Sequence, residues 1–332
     1  MKNILITGGL GYIGSHAAVL FSNHFKNIYL IDNLSNSSID TLHSIEMLSD
    51  KNISFFQGDI CDANFLQDIF HKHNIDLVVH FAALKSVPES IVNPFAYYNN
   101  NVAGTLNLMN LMKRFGVKRL LFSSSAAIYS ADNIFPVNEV AKLGFINPYA
   151  ESKLCCEILL KRLYEECNDM ALGILRYFNP LGNHSSGLLG DQLSESASNV
   201  MPMILKALTK NKPFIIYGNN YQTQDGTALR DYIHVEDLVT AHISLSKFMQ
   251  QKVSGLFTYN VGLSNGVSVL ELVKTFNEVN GTNIEIQFSE PRNGDLPICY
   301  ANAEAIQFDL GWKAQKNLED MCKDAYAYYT KH

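Results

Sequence analysis

The sequence predicts an α/β fold: a parallel sheet covered by helices on both faces, with a smaller C-terminal domain. Three observations carry this prediction. Short runs rich in β-branched residues alternate with longer helical patterns through the first half of the chain. The first run leads into a glycine turn that opens a helix, Gly8-Gly9-Leu10-Gly11-Tyr12-Ile13-Gly14. The second run closes on an acid, Asp32.

The elements follow in order. Asn3–Thr7 reads as a strand, and a helix begins near Ile13. Residues 27–32, 53–57, 77–81, 119–123 and 171–177 read as further strands. Helical patterns lie between them at residues 63–72, 95–115 and 149–167. The pattern changes after Tyr177. Residues 179–199 are rich in Gly, Ser and Asn, and a loop of that length usually carries function. Beyond it come helical patterns at 201–208, 235–248 and 269–279, and strands at 214–217 and 284–288. A first domain over residues 1–180 and a second mainly over 181–332 are expected, with returns to the first near 215–260.

Composition narrows the function. The chain has 332 residues, 47% of them hydrophobic and 17% charged, the ordinary balance of a folded globular protein. Its net charge of -6 and lack of a basic tract argue against nucleic acid or an anionic membrane as partner. No run of apolar residues is long enough to predict a membrane span. The N-terminus enters a strand pattern at once, so no secretory leader is expected. Cys61, Cys155, Cys156, Cys167, Cys299 and Cys322 show no CxxC spacing, so no metal site is expected. That usage suits a reducing compartment, and a cytoplasmic location is expected.

Gly8, Gly11 and Gly14 mark the Rossmann-like feature. Glycine lets a backbone turn tightly and approach a pyrophosphate without a side-chain clash, and helix-start amides then face the anion. Asp32 lies 18 residues beyond Gly14, where a carboxylate can accept both ribose hydroxyls of adenosine and repel an extra phosphate. NAD is therefore the expected cofactor. Asp59, after the third strand, is a candidate for the adenine amino group, and Lys85 for cofactor phosphate or ribose.

Ser123, Ser124 and Ser125 follow the apolar run Leu120-Leu121-Phe122, at the carboxyl end of a strand where such sheets place their ligands. Downstream stands Tyr149-Ala150-Glu151-Ser152-Lys153. Four-residue spacing puts Tyr149 and Lys153 on one helical face. A phenol titrates near 10, too high for easy proton abstraction, and a nearby ammonium favours the phenolate. Ser125 is placed to orient the hydroxyl that Tyr149 would deprotonate. A catalytic group of Tyr149, Lys153 and Ser125 follows.

The chain resembles the UDP-glucose 4-epimerase branch of the extended short-chain dehydrogenase/reductase family. The resemblance rests on TGGLGYIGSH at residues 7–16, IDNLSNS at 31–37, HFAALKSVPES at 80–90 and YYNNNVAGTLNL at 97–108. FSSSAAIY at 122–129, the Tyr149/Lys153 pair, LRYFNPLG at 175–182, RDYIHVEDL at 230–238 and PRNGDLP at 291–297 extend it over essentially the whole chain.

The resemblance implies interconversion of UDP-galactose and UDP-glucose through transient oxidation at C4, and a homodimer. It assigns Tyr149 as base, Lys153 as the group that positions cofactor ribose, and Ser125 as its assistant. It adds Tyr12, Ile13, Asn33, Asn36, Ile60, Phe81, Ala82, Asn100 and Tyr177 on the cofactor side. For substrate it points to Asn179, Asn199 and Val200 near the phosphates, Arg230 and Arg292 on the diphosphate, and Asp295 on the uridine ribose. Tyr217 takes the position beside uracil, and Lys85 joins Ser125 and Tyr149 near the sugar. Cys299 stands where epimerases restricted to plain sugars carry tyrosine, which implies UDP-GalNAc and UDP-GlcNAc as additional substrates.

Three departures stand out. The tyrosine motif reads YAESK where YGKSK is common, Tyr129 is followed by Ser130 and not glycine, and residues 187–199 lack the usual Gly/Pro-rich ending. The competing readings are a nucleotide-sugar 4,6-dehydratase, a UDP-glucuronate decarboxylase, and a non-catalytic NAD-binding sensor. Dehydratases of this type carry acids after the catalytic hydroxyl, where Ala126 and Ala127 stand here.

Overall fold

A computed structural model describes residues 1–49, 51, 53–192, 199–252, 254–292 and 295–331. The chain opens with β1 (Asn3–Thr7), α1 (Tyr12–Ser22), β2 (Asn27–Asp32), α2 (Asp40–Ser49), β3 (Ile53–Gln57), α3 (Ala63–Lys72) and β4 (Leu77–His80). Then come α4 (Val87–Val92), α5 (Pro94–Tyr97), a π-helical turn (Tyr98–Ala103) and α6 (Gly104–Phe115). β5 (Arg119–Ser125), α7 (Pro148–Glu166) and β6 (Ala171–Tyr177) follow, with a 3-10 turn at Ala126–Ile128 directly after β5. The remainder runs β7 (Asn179–Leu181), α8 (Val200–Lys210), β8 (Phe214–Tyr217), β9 (Leu229–Arg230), β10 (Tyr232–His234) and α9 (Val235–Gln251). It ends with β11 (Gly255–Val261), β12 (Val267–Ser268), α10 (Val269–Asn280), β13 (Ile286–Ser289), β14 (Ile298–Cys299), α11 (Glu304–Leu310) and α12 (Leu318–Lys331).

Two compact units divide the chain. The first comprises Met1–Ser130, Leu143–Arg176 and Val239–Tyr259; the second comprises Ala131–Lys142, Tyr177–Leu238 and Asn260–His332. The main sheet has the order β11-β6-β5-β4-β1-β2-β3. The ladders from β3 through β2, β1 and β4 to β5 are parallel. The strand order reverses at β1 and β4, which makes their carboxyl ends the expected ligand position in a doubly wound sheet. All four residues of β4 and all seven of β6 are buried. Strands covered on both faces read as near-continuous apolar runs for this reason. Leu5, Val78, Leu108, Met112, Leu120 and Leu160 belong to one cluster that seals a face of this sheet.

The second unit has its own core. Ile204 and Leu205 of α8, Ile216 of β8, Leu272, Val273 and Phe276 of α10, and Met321 and Cys322 of α12 pack together. Its strands are short: β9 is flanked by antiparallel β12 and parallel β14, and β13 runs parallel to β8.

Several boundaries differ from the sequence expectation. The single helix expected over 95–115 is three segments. Asn93 leaves helical geometry, Pro94 starts α5, and the π turn separates α5 from α6. β5 continues through Ser125, two residues beyond its expected end. β13 starts at Ile286, where pairing with Phe214 begins. α2 escaped notice because it buries only Ile45 and Ser49 among its residues, too narrow an apolar stripe to set a period. α12 buries Met321, Cys322 and Ala325 behind a run of charged and tyrosine positions.

Candidate active site

The site begins at the carboxyl end of β1. Gly8 has φ +67, and a Cβ there would sit 2.7 Å from the Ala82 amide nitrogen. A Cβ on Gly14 would come within 2.0 Å of the Gly8 carbonyl oxygen. Both positions thus exclude every side chain, which brings the turn hard against β4 and against α1. α1 is capped by Gly11, which offers no side chain, and has no acid in its first turn, so its amide end is open to an anion. Tyr12 and Ile13 lie in that first turn.

Asp32 reinforces the cradle. Its Oδ2 accepts from the Leu10 amide at 3.0 Å, and its Oδ1 from the Leu34 amide at 3.0 Å and the Ser37 hydroxyl at 2.7 Å. A carboxylate has about four acceptor positions, so with three taken about one remains, enough for one ribose hydroxyl and not for the expected two. Asn33 donates to Asp59 at 2.9 Å, which joins the ends of β2 and β3. Burial pushes the Asp59 carboxyl upward, but the Cys61 amide and Asn33 outweigh it and hold it below the ordinary value. Ile60 is buried behind it, and Asn36 is exposed on the same edge. The Phe81 amide donates to the Thr7 carbonyl at 3.1 Å, and Lys85 Nζ stands 5.9 Å from the centre of the Tyr12 ring. Open amides, an anchored acid and a turn without side chains fit a dinucleotide.

The catalytic candidates assemble in the same unit. Asn147 caps α7 by accepting from the Ala150 amide, and Pro148 takes the first helical position. Tyr149 and Lys153 follow one turn apart. The Ser125 hydroxyl stands beside the Tyr149 phenol, close enough to favour its charged form, and accepts from the Ala127 amide at 3.2 Å. Lys153 Nζ donates to the Ser123 carbonyl at 2.7 Å and lies 5.0 Å from the Phe122 ring centre.

The electrostatics correct one expectation. Burial pushes the Tyr149 phenol above its ordinary value, and Ser125 offsets this only in part. Lys153 Nζ is committed to the strand carbonyl. Burial lowers Lys153 itself to about 8, against an opposing pull from Cys156 and Glu157. His80, buried between Thr7 at 2.6 Å and Thr105 at 2.9 Å, is pushed down to about 3 and stays neutral.

Of the substrate candidates, Lys85, Ser125 and Tyr149 lie in the first unit; the others fall in the second, as does Tyr177, which is buried at the end of β6. Arg230 Nη2 donates to Asp295 Oδ1 at 2.5 Å, so the diphosphate and ribose candidates are one ion pair. Arg292 lies over the Tyr217 ring at 4.1 Å from its centre. Asn179 donates both its amide and its side-chain nitrogen to the Asp231 carbonyl, each at 3.0 Å. Cys299 is the register partner of Arg230. Burial pushes its thiol up to about 11, so it presents a small neutral wall. Asn199 precedes α8, whose first residue is Val200, and makes no capping hydrogen bond. Of the departing loop, residues 193–198 lie outside the described residues, as do Asn293 and Gly294 of PRNGDLP.

Residues 5–325 match the family model described as GDP-mannose 4,6 dehydratase. A UDP-glucose 4-epimerase of Bacillus subtilis is 40% identical over 331 residues, covering 99% of this chain and 97% of that protein. The chain belongs to the UDP-glucose 4-epimerase family. Solved members of that family share its shape. The Stenotrophomonas maltophila UDP-glucose 4-epimerase, with bound NAD and formylated UDP-arabinopyranose, matches with TM-score 0.97 and 37% identity, covering 100% of this chain and 98% of its own. The Bifidobacterium longum UDP-glucose 4-epimerase, in complex with NAD+ and UDP, matches with TM-score 0.94 and 36% identity, covering 100% and 99%.

This epimerase-family site holds residues that the sequence reading missed. Asn101 accepts from the Leu84 amide at 2.8 Å and donates to the Leu84 carbonyl at 3.0 Å and to Ser152 at 2.9 Å. It fastens the loop carrying Lys85 to the helix carrying Tyr149, and its neighbour Asn100 donates to it at 2.9 Å. Ser124, Glu157 and Arg176 form a second buried set. The available signal was a charge at an inward position of each element: Glu157 on the face of α7 that carries Ala150, Lys153 and Leu160, and Arg176 inside the buried strand β6. Buried charges occur in pairs. Among the described residues no cluster is arranged to hold a metal, and no helix is long and apolar enough to cross a membrane.

Proposed function

We propose that this protein interconverts UDP-galactose and UDP-glucose by transient oxidation at C4 of the sugar, with NAD as its bound cofactor. The observation that carries this reading is the Ser125–Tyr149 pair at the carboxyl end of β5, with Lys153 one turn along α7, in the fold unit that holds the glycine cradle. NAD supplies a hydride acceptor that returns what it takes, so the reaction consumes no reductant.

The protein's own groups handle the proton and hold the substrate. Tyr149 accepts the proton of the 4-hydroxyl as the C4–H hydride departs, and gives it back when hydride returns to the opposite face. Ser125 orients that hydroxyl. Because burial disfavours the Tyr149 phenolate, the charged form of Lys153 and the cationic nicotinamide ring are needed to bring it within range. Arg230 and Arg292 take the diphosphate, for which forked guanidinium groups are suited. Tyr217 takes the base, Asp295 the ribose, and Asn179, Asn199 and Val200 the phosphate surroundings. A firm hold on the nucleotide leaves the 4-keto sugar free to turn between the two hydride transfers. The small Cys299 side chain leaves room for an N-acetyl group, so UDP-GalNAc and UDP-GlcNAc are included among the substrates.

The dehydratase description of the matching family model keeps 4,6-elimination as a second reading. Elimination needs an acid and a base acting at C5 and C6 after the same oxidation. The turn after Ser125 carries Ala126, Ala127 and Ile128, and no carboxylate. Mixing the purified protein with UDP-galactose and resolving the products separates the readings. UDP-glucose is expected, with NAD or NADH released on denaturation. A 4-keto-6-deoxy sugar, or no conversion by protein that carries NAD, overturns the proposal.

A homodimer and a cytoplasmic location complete this reading. Ile91, Val92 and Phe95 are 64%, 86% and 81% exposed on α4 and α5, and Ile158 is exposed on α7. A second copy is the occupant that the family resemblance supplies for this apolar surface. All six cysteines are free thiols, which suits a reducing compartment.

A further inference from the structure

We propose that Glu157 is a positioning residue for catalysis: it holds the charge on Lys153 and fixes the strand end that presents Ser123 and Ser125. This rests on the reading of Tyr149, Lys153 and Ser125 as the proton-handling group.

The geometry starts from three successive serines with three different partners. The Ser123 carbonyl accepts from Lys153 Nζ at 2.7 Å, the Ser124 hydroxyl donates to Glu157 Oε1, and the Ser125 hydroxyl stands beside the Tyr149 phenol. The Ser124 bond therefore ties down the strand between the two catalytic contacts. Glu157 is itself fixed from behind. Arg176 donates from Nε to Oε1 at 3.0 Å and from Nη2 to Oε2 at 2.7 Å, and from Nη1 to the Tyr129 hydroxyl at 3.0 Å. Glu157 is 7% exposed and Arg176 5%. A two-pronged buried pair admits little movement.

Such a pair is an expensive choice for stability alone, since apolar residues of similar volume often serve as well. Its placement explains it. Glu157 lies one turn beyond Lys153 on the same face of α7. Lys153 is buried, and burial favours the neutral amine. The groups that face it are the Ser123 carbonyl and Phe122 ring of β5, His80 of β4, and Cys156 and Glu157 of α7. His80 is neutral, and the Cys156 thiol, pushed up to about 11 by burial, is neutral too. Among the described residues, Glu157 is the carboxylate that acts on Lys153. Arg176 neutralises only part of it, and Ser124 takes up a further lone pair.

The test compares wild type, E157Q, S124A and the double variant E157Q/R176Q, all carrying NAD, in UDP-galactose turnover against pH. Lys153 is followed independently by NMR of 13Cε-labelled lysine, its signal assigned with K153M. E157Q is expected to lower kcat about tenfold or more, with KM changed less than about threefold. The alkaline limb of kcat and the Lys153 titration should both move about one unit toward acid. S124A keeps the carboxylate, so kcat should fall while the Lys153 midpoint stays in place. If E157Q fails to fold, the double variant, which leaves no unpaired buried charge, is expected to show a smaller displacement in the same acid direction, because the opposing guanidinium is lost with the carboxylate. A wild-type Lys153 midpoint in both E157Q and the double variant, or in the double variant where E157Q does not fold, overturns the proposal. The NMR titration needs no turnover, so loss of the epimerase reading and loss of this one are distinguishable.

Discussion

The two units hold their functional residues by different means. In the first, Ser125, Tyr149 and Lys153 stand on a seven-residue strand and a nineteen-residue helix, and their neighbours Ser124, Asn101 and Glu157 lock one another through buried hydrogen bonds. In the second, Arg230 and Cys299 stand on strands of two residues each. What steadies those strands is Asp231, whose carboxylate accepts from the Leu263, Ser264 and Ala301 amides at 2.7, 3.1 and 3.1 Å. Proton transfer tolerates little misplacement, and the residues proposed for it sit on long elements. The residues proposed for recognition are spread over short segments that can vary one at a time.

If that division is right, substitutions in the first unit should strike kcat and those in the second should strike selectivity. The largest effect is expected at Tyr149. Tyr149→Phe removes the proton acceptor and keeps the ring, so kcat should fall about 10²–10⁴-fold while NAD content and UDP affinity persist. Turnover near wild type, or lost NAD, would break the comparison at its strongest point. Next comes Cys299→Tyr. A phenol in place of the thiol should cut kcat/KM for UDP-GalNAc by about tenfold or more and spare UDP-galactose. Equal losses on both sugars would mean that Cys299 acts on catalysis and not on selection.

The smallest effect concerns stability. His80 titrates near 3 in the folded protein against 6.5 ordinarily, because it is buried beside Lys153. Below about pH 6.5 the unfolded chain takes up a proton that the folded one refuses. The neutral ring's contribution is complete above that pH and is lost as pH falls toward 3. His80→Asn should lower Tm at neutral pH and flatten its fall between pH 6.5 and 4.5. An unchanged slope would show that the titration lies elsewhere.

The same contrast explains what the sequence made legible. The sheet was readable because parallel strands buried on both faces are near-continuous apolar runs, such as Leu77-Val78-Val79 of β4. The cradle and the Tyr149/Lys153 pair were readable because close spacing in sequence is close spacing in space. Asn101 and Arg176 were not, since their partners lie 51 and 19 residues away. In the second unit, the ion pair of Arg230 with Asp295 spans 65 residues. Only family resemblance, not periodicity, drew those two residues together, and it assigned them separate tasks. The upward push on Tyr149 was missed because burial of a phenol has no signature in composition.

The π turn at Tyr98–Ala103 places a constraint of phase on this stretch of chain. A π turn is an α-helix with one residue inserted, and each α-helical residue advances about 100° around the axis. Before it, α4 and α5 deliver Tyr97 to its buried seat beside Tyr149. Within and after it, Asn101 faces Leu84 and Ser152, while Thr105, Leu108 and Met112 face the interior. Deleting a single residue here would let the helix relax to a regular pitch and rotate one side against the other. Either Tyr97 or the Thr105–Met112 face would then turn toward water. Substitutions that spare Asn101 and its partners leave that phase intact, but a change of length does not.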